Sequence, residues 1–331
     1  KMYDSSYKKE YYIVSRQNPT VIIALGGNAI SPKNEAGSIK QQFSHTRESL
    51  DAIMHFVRER YNICITHGNG PQVGAELLKN EITKEKIPSL PLGMLVANTQ
   101  GAIGYMIQQT LQNALYNEDA DREVVTFISQ VKVDRNDPAI KNPVKFIGKT
   151  YNKDEAEKFS KLYDWHIKEQ EEGLWRRVVS SPTPLYIFNG KSVKHLVEFG
   201  TIVIAGGGGG IPAYDDENNN LHGLDAVIDK DMSAALLGRV IRAEELFIIT
   251  DVDYVCLNYG KSNQSKINKT NVQEVRLWME QEQFGEGTML PKIKAALYFL
   301  EHHGNKVIIT SLDKVEEAIA GNAGTIIMRG K

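Results

Sequence analysis

The sequence predicts an α/β fold, a mostly parallel central sheet with helices on both faces and a small protruding subdomain. Short β-branched runs alternate with longer amphipathic segments along the whole chain. Glycine-rich turns follow directly on several of those runs. Size agrees, since 331 residues at about 150 per domain leave room for roughly two lobes.

The elements follow in chain order. Residues 21–25 form the first buried strand, and 63–66, 124–129, 202–205, 246–250, 307–310 and 325–328 read as the others. A helix is expected over 43–60, where Leu50, Ile53, Met54 and Val57 share a face. Another is expected over 101–116, with Ile103, Met106, Ile107, Thr110, Leu111 and Leu115 on one side. Residues 231–241, 289–302 and 314–320 complete the helical set. One stretch breaks the alternation. From 131 to about 197 the chain becomes charged and proline-punctuated (Pro138, Pro143, Pro182, Pro184), with its own short helix near 154–162. It also holds Trp165, Trp175 and the pair Arg176-Arg177. Such a length between elements is either functional or surface decoration, and it reads as a lid or subdomain standing off the sheet.

Composition excludes several classes. With 41% hydrophobic and 24% charged residues, the chain can build a globular core and is not of disordered type. Lys and Arg number 39 against 41 Asp and Glu, so no net field recommends a nucleic acid or an anionic membrane as partner. The apolar runs are strand-sized, and residues 1–12 have no apolar stretch of the signal-peptide kind. Cys64 and Cys256 are the two cysteines, both in apolar surroundings, so a disulfide framework is not expected. A cytoplasmic protein is expected.

The glycines carry the chemical signal. The strand 21–25 runs into Gly26-Gly27-Asn28, and 63–66 into His67-Gly68-Asn69-Gly70-Pro71. The strand 202–205 runs into Gly206-Gly207-Gly208-Gly209-Gly210, and 246–250 into Asp251-Val252-Asp253. In a parallel sheet all four turns leave from the edge where open α/β sheets bind ligands. Glycine lets the backbone turn with positive φ and present successive N–H groups to an anion, and a following helix N-terminus adds positive charge. Phosphate or another small anion is the expected ligand.

Familiar phosphate motifs do not account for these turns. Gly-Lys-Ser/Thr occurs at 148–150, 190–192 and 260–262, but a P-loop needs glycine where Pro143, Leu185 and Val255 stand. A dinucleotide fingerprint fits Gly208, Gly210 and Ala213 only loosely, and the polar run 214–220 follows instead of a helix. Phosphoryl transfer also needs cations to neutralise charge. Lys230 and Lys292 stand where helices open, whereas Lys145, in the excursion, reads on its chemistry alone as a surface charge. Zinc-protease, CxxC and GxSxG patterns are absent from the sequence. His67, near the ligand edge, is expected to bond loop backbone.

Several of these stretches together resemble one family: 23–29 (IALGGNA), 66–74 (THGNGPQVG), 100–109 (QGAIGYMIQQ), 133–138 (VDRNDP), 175–179 (WRRVV) and 226–231 (AVIDKD) are similar to carbamate kinase, of the amino-acid kinase superfamily. The resemblance runs from about Val21 to Met328. Ala24-Leu25 precede the first Gly-Gly, where many superfamily relatives carry a lysine; this fits carbamate kinase and disfavours acetylglutamate and aspartate kinases.

The resemblance implies an open αβα sandwich, a homodimer, and use of ATP/ADP with Mg²⁺. It implies reversible phosphoryl transfer between ATP and carbamate, giving carbamoyl phosphate, often run toward ATP at the end of arginine breakdown. Carried over by position, carbamate and phosphate fall on Gly26, Gly27, Asn28, Asn69 and Gly70, with Gly206, Gly207, Gly208 and Gly209 on the nucleotide side. Catalytic roles fall on Lys145, Lys230 and Lys292, with Asp229 orienting the lysines, and Thr250, Asp251 and Tyr259 join the nucleotide site. Mg²⁺ is expected to be held mainly through nucleotide phosphates. On this reading 1–20 is an extension, 21–200 an acceptor lobe with a subdomain at 131–197, and 201–331 a nucleotide lobe. Arg135, Phe146 and Lys149-Thr150 depart from the family pattern, all in the excursion. The alternatives are another small-molecule kinase of the superfamily, or a non-catalytic nucleotide or amino-acid sensor, which would not need the three lysines.

Overall fold

Residue parity along the first strand sets the layering of the molecule. In β1 (Thr20–Leu25) the side chains of Ile22 and Ala24 enter one core, and those of Val21, Ile23 and Leu25 enter another on the opposite face. A strand buried on both faces reads as a continuous apolar run, which is why 21–25 carries no polar residue. The computed structural model describes residues 17–31, 37–285 and 288–330, apart from the side chains of 28, 29, 51 and 52. The expected extension therefore lies outside the described residues as far as residue 16, as does the Asn28 side chain.

The strands continue as β2 (Asn62–His67), β3 (Val124–Thr126), β4 (Gln130–Lys132), β5 (Lys145–Tyr151), β6 (Ile167–Glu171), β7 (Leu174–Val179) and β8 (Tyr186–Ile187). After these come β9 (Ile202–Ile204), β10 (Ile211–Asp215), β11 (Leu221–Gly223), β12 (Glu245–Thr250) and β13 (Val255–Leu257). The last are β14 (Ser265–Ile267), β15 (Lys269–Asn271), β16 (Lys306–Ser311) and β17 (Thr325–Met328). An eight-stranded sheet has the order β15-β17-β16-β12-β1-β2-β9-β3, and every pair in it is parallel except β16 with β17.

Ten helices flank the strands among the described residues: α1 (Gly27–Ile30), α2 (Ile39–Arg58), α3 (Gly70–Thr83), α4 (Leu92–Asn117), α5 (Lys153–Tyr163), α6 (Gly190–Glu198), α7 (Lys230–Ile241), α8 (Val272–Glu280), α9 (Met289–His302) and α10 (Val315–Ile319). Helices α2 and α4 cover one face of the sheet with the apolar stripes expected from sequence, while α7 and α9 cover the other. No described helix is long and apolar enough to cross a membrane.

Several elements differ from expectation, among them α6 and α8, which the expected helical set does not contain. The strand expected over 124–129 ends at Thr126, because Gln130–Lys132 belongs to a separate four-stranded sheet, where it pairs with β10 and β8. Helix α4 begins at Leu92, nine residues before the expected start at 101, and buries Leu92, Leu95, Val96, Thr99 and Gln100. Helix α3 falls where the sequence suggested only a loop; Pro71 sits in its first turn, where a missing N–H costs nothing. In the segment 145–179, β5, β7 and β6 form a three-stranded antiparallel sheet with α5 beside them. Its interior is the cluster of Tyr151, Ala156 and Trp165.

Candidate functional site

The four glycine and aspartate turns start from four adjacent strands. β12, β1, β2 and β9 are neighbours and parallel, so their carboxyl ends meet at one edge. Their starting levels agree: Leu25 is in register with both Ile249 and His67. The amide of Gly26 donates to the carbonyl of Ile249 at 3.0 Å, and that of Gly68 donates to Leu25 at 2.9 Å. A cavity of about 450 Å³ opens along this edge.

Most of the candidate residues line that cavity. Gly26, Gly27, Asn69, Gly70, Lys145, Gly208, Asp229, Lys230, Thr250, Asp251, Tyr259 and Lys292 all contribute to its wall. Gly206, Gly207 and Gly209 do not; they are buried behind Gly208.

That burial explains the glycine run. Gly206, Gly208, Gly209 and Gly210 have φ of 67°, 62°, 86° and 91°, the left-handed region that side chains avoid. Gly207 has ordinary φ but no space, because a Cβ there would stand 2.3 Å from Nε2 of His67. The loop is braced by polar side chains that the sequence reading did not single out. Thr66 Oγ1 donates to the Gly206 carbonyl at 2.9 Å, Gln100 Nε2 to that of Gly207 at 2.9 Å, and Ser233 Oγ to that of Gly209 at 2.7 Å. The amide of Gly206 donates to Ser129 Oγ at 3.0 Å. Gln100 was findable as an amide on the buried face of an apolar helix, where an unpaired polar group would be costly.

His67 bonds loop backbone as expected: its Nδ1 lies 3.0 Å from the Gly68 carbonyl. Burial lowers its pKa to about 4, with the nearby Lys230 acting in the same direction, so the ring is neutral at physiological pH.

Cations and carboxylates interlock across the cavity. Asp229 starts helix α7: its Oδ1 accepts the amides of Asp231 at 2.9 Å and Met232 at 3.2 Å. Its Oδ2 accepts a hydrogen bond from Lys145 Nζ, at the first residue of β5. Lys230 Nζ donates to Oδ1 of Asp231, and Lys292 Nζ, from α9, donates to Oδ2 of the same carboxylate at 2.9 Å. Asp231 is 1% exposed and was missed, because an acidic residue in a helix's first turn reads as a dipole partner. Burial alone would raise the pKa of both aspartates. Lys145 outweighs it at Asp229, and Lys230 and Lys292 outweigh it at Asp231, so both carboxyls stay ionised. Burial pulls Lys230 below the ordinary lysine range despite Asp231, whereas at Lys292 the pull of Asp231 and Asp229 prevails and raises it.

The rest of the wall is mixed. Phe146, Gln170, Glu171 and Arg176 come from the three-stranded sheet, and Tyr254, Cys256, Gln283, Phe284 and Met289 from the chain after β12. Of the departures from the family pattern, Phe146 lines the cavity, Lys149 lies over the Tyr151 ring at 5.0 Å and Arg135 over the Tyr214 ring at 5.5 Å. Among the described residues no group of three or more His, Cys, Asp or Glu side chains is placed to hold a metal ion.

Comparison with known proteins follows the same lines. Residues 19–311 match the model of the amino acid kinase family. The carbamate kinase of Pyrococcus furiosus is 40% identical over 310 residues, covering 93% of this chain and 98% of the relative. That of Staphylococcus epidermidis is 39% identical over 312 residues, covering 93% and 99%. Carbamate kinase from Giardia lamblia bound to AMP-PNP superposes with a TM-score of 0.84 at 36% identity, covering 95% of this chain and 99% of that one. A continuous match of this extent, over a sheet whose turns meet at one lysine-lined cavity, leaves the conclusion that this chain belongs to the amino acid kinase family, in its carbamate kinase branch.

Proposed function

We propose that the chain transfers a phosphoryl group reversibly between ATP and carbamate, with ADP and carbamoyl phosphate as the other pair. The observation that carries this reading is the interlocked set Lys145–Asp229 and Lys230–Asp231–Lys292 at the floor of one cavity. Within this set three ammonium groups face two carboxylates, which leaves one excess positive charge for anionic substrates, although the whole wall, with Arg176, Glu171 and Asp251, is balanced. Carbamate is already an anion at its attacking oxygen, so the site needs no general base. What the protein supplies is position and charge.

The roles follow from placement. Lys230 and Lys292 neutralise the charge that develops on the transferred group, and Asp231 keeps their heads aimed at a common point. Lys145 serves the acceptor side, oriented by Asp229. Gly26, Gly27, Asn28, Asn69 and Gly70 cradle carbamate or the carbamoyl phosphate phosphoryl group. Gly206 to Gly209 and Thr250, Asp251 and Tyr259 serve the nucleotide, the buried glycines by shaping the turn that presents Gly208. In lobe terms, 21–200 holds the acceptor and 201–331 the nucleotide. The apolar side chains Tyr254, Phe284 and Met289 in the wall suit a base, and the AMP-PNP complex of the Giardia enzyme supports a nucleotide substrate.

The donor set suits Mg²⁺ that arrives on the nucleotide, because Asp229 and Asp231 are both engaged by lysines. Such an ion would supply charge neutralisation on the nucleotide phosphates, and Asp251, in the cavity wall, is the carboxylate that would hold it. A homodimer is proposed with this activity, and light scattering at assay concentration tests it. The physiological direction proposed is ATP synthesis from carbamoyl phosphate.

The test is a coupled assay for ATP formed from ADP and carbamoyl phosphate, with and without Mg²⁺. Metal-dependent ATP formation is expected. Absence of turnover with carbamoyl phosphate, together with turnover on a different acyl phosphate, would replace this reading by another kinase of the superfamily.

A further inference from the structure

The strand that carries Lys145 is gripped from two sides at one residue. The pairing of β5 with β7 shifts between Ile147 and Tyr151, a bulge that leaves Gly148 out of the ladder. Gly148 has φ of 71°, which a side chain would resist. On one side stands α3, where a Cβ added to Gly74 would lie 2.1 Å from the Gly148 Cα and 2.2 Å from its N. On the other side stands Arg176 of β7. Its Nη2 donates to the carbonyl of Gly148 at 2.6 Å and its Nη1 to Oε1 of Gln170 at 3.0 Å. Arg176 is only 8% exposed, so its guanidinium is fixed by these bonds. Between the two grips Ile147 packs, fully buried, on Val73 and Leu77 of α3. Lys145 lies three residues before Gly148, within about 10 Å at ~3.3 Å per strand residue.

We propose that Gly74 and Arg176 are positioning residues for the transfer: by clamping Gly148 between them they set how deeply β5 lies against α3, and so bring Lys145 to Asp229. The proposal rests on the acceptor-side role given to Lys145 above. A methyl group at position 74, 2.1 Å from the Gly148 Cα, must push β5 outward by more than about 1 Å to reach ordinary contact, and a misplacement of about 1 Å can already cost ~10²-fold in rate. Neither residue needs to touch a substrate for this.

The experiment uses the full chain in the ATP-forming assay. Gly74→Ala is expected to lower kcat/KM for carbamoyl phosphate at least ~10-fold while KM for ADP stays within about twofold. Arg176→Gln is expected to do the same and Arg176→Lys to recover part of the loss. In a Lys145→Ala background, Gly74→Ala is expected to cost nothing more, since both act through one ammonium group. Losses that multiply, or parental kinetics in a folded Gly74→Ala, overturn the proposal. If Gly74→Ala does not fold by circular dichroism, the same cycle is run with Arg176→Gln, where multiplied losses mean that Arg176 meets the ligand directly and the clamp is wrong. A second readout does not depend on the reaction: backbone amides of 145–151 are expected to exchange hydrogen faster in Gly74→Ala or Arg176→Gln. Unchanged exchange ends the clamp even in an active enzyme. Faster exchange, with no effect of Lys145→Ala on turnover, keeps the clamp and removes the role of Lys145.

Discussion

Lys145 and Asp229 are bonded to each other across 84 residues of sequence, and the same carboxylate caps helix α7 through its other oxygen. One side chain therefore begins the helix that carries Lys230 and Asp231 and also fixes the first residue of β5. The two lysine groups of the cavity are tied into one frame through the Asp229 carboxylate, which bonds Lys145 on one side and the first turn of α7 on the other. That arrangement stores orientation before any substrate arrives, which is the condition for electrostatic stabilisation to be large.

Asp231 bonds two lysines while almost wholly buried. Asp231→Asn removes the charge that compensates them, and breaking such a buried set by one partner costs about 3 kcal/mol or more. Denaturant unfolding of the variant is expected to show that loss, and its turnover to fall with it. A stability unchanged from the parent would mean that the two ammonium groups find other compensation.

Lys230→Ala and Lys292→Ala each remove one preorganised donor. Each is expected to lose ~10²-fold in kcat, about 3 kcal/mol of transition-state stabilisation, with cooperative unfolding retained. Steady-state kinetics on both variants check this. Full turnover in either would take that lysine out of the mechanism.

Gly207 is a glycine for lack of space, not for its φ, because His67 Nε2 would stand 2.3 Å from its Cβ. Gly207→Ala is expected to destabilise by about 1–3 kcal/mol, the usual cost of overpacking, and to weaken nucleotide binding. The double variant Gly207→Ala with His67→Ala removes the collision, so it is expected to regain part of the affinity lost in the single one. Calorimetry with ADP measures both, and a double variant worse than the sum of its singles would refute the steric account.

The buried His67 also sets a pH dependence. Its pKa is near 4 in the folded chain and about 6.5 in an unfolded one, so below pH 6.5 the unfolded state binds the extra proton. The contribution of the neutral ring is complete above about pH 6.5 and is lost as the pH falls toward 4, on the order of 3 kcal/mol in all. Asp229 and Asp231 work in the same sense at lower pH. Their contribution is present above about pH 4, the unfolded carboxylate value, and disappears on further acidification. Unfolding free energies measured from pH 8 to 4 are expected to slope less steeply in His67→Gln than in the parent. Equal slopes would show that His67 is not the group titrating there.

Sequence alone made the sheet legible because its strands are buried on both faces, and runs such as Val21 to Leu25 have no other plausible place. The turns were legible for a related reason, since glycines that follow strands directly mark the carboxyl edge. Helix α3 was not, because Gly70-Pro71 punctuates the chain like a loop although proline is welcome in a first helical turn. The bracing residues Thr66, Gln100, Ser129 and Ser233 were hidden for want of partners, as each bonds a carbonyl or amide distant in sequence. Lys145 carries no local signal at all. In a proline-rich stretch it reads as a solvated charge, and only family resemblance separates it from its neighbours.

The most direct measurement is a crystal structure of the full chain with a non-hydrolysable ATP analogue. The account expects the terminal phosphate at the carboxyl edge of β1, β2, β9 and β12, within hydrogen-bond distance of the Lys230 and Lys292 ammonium groups. A triphosphate bound with its terminal group away from both lysines would contradict it.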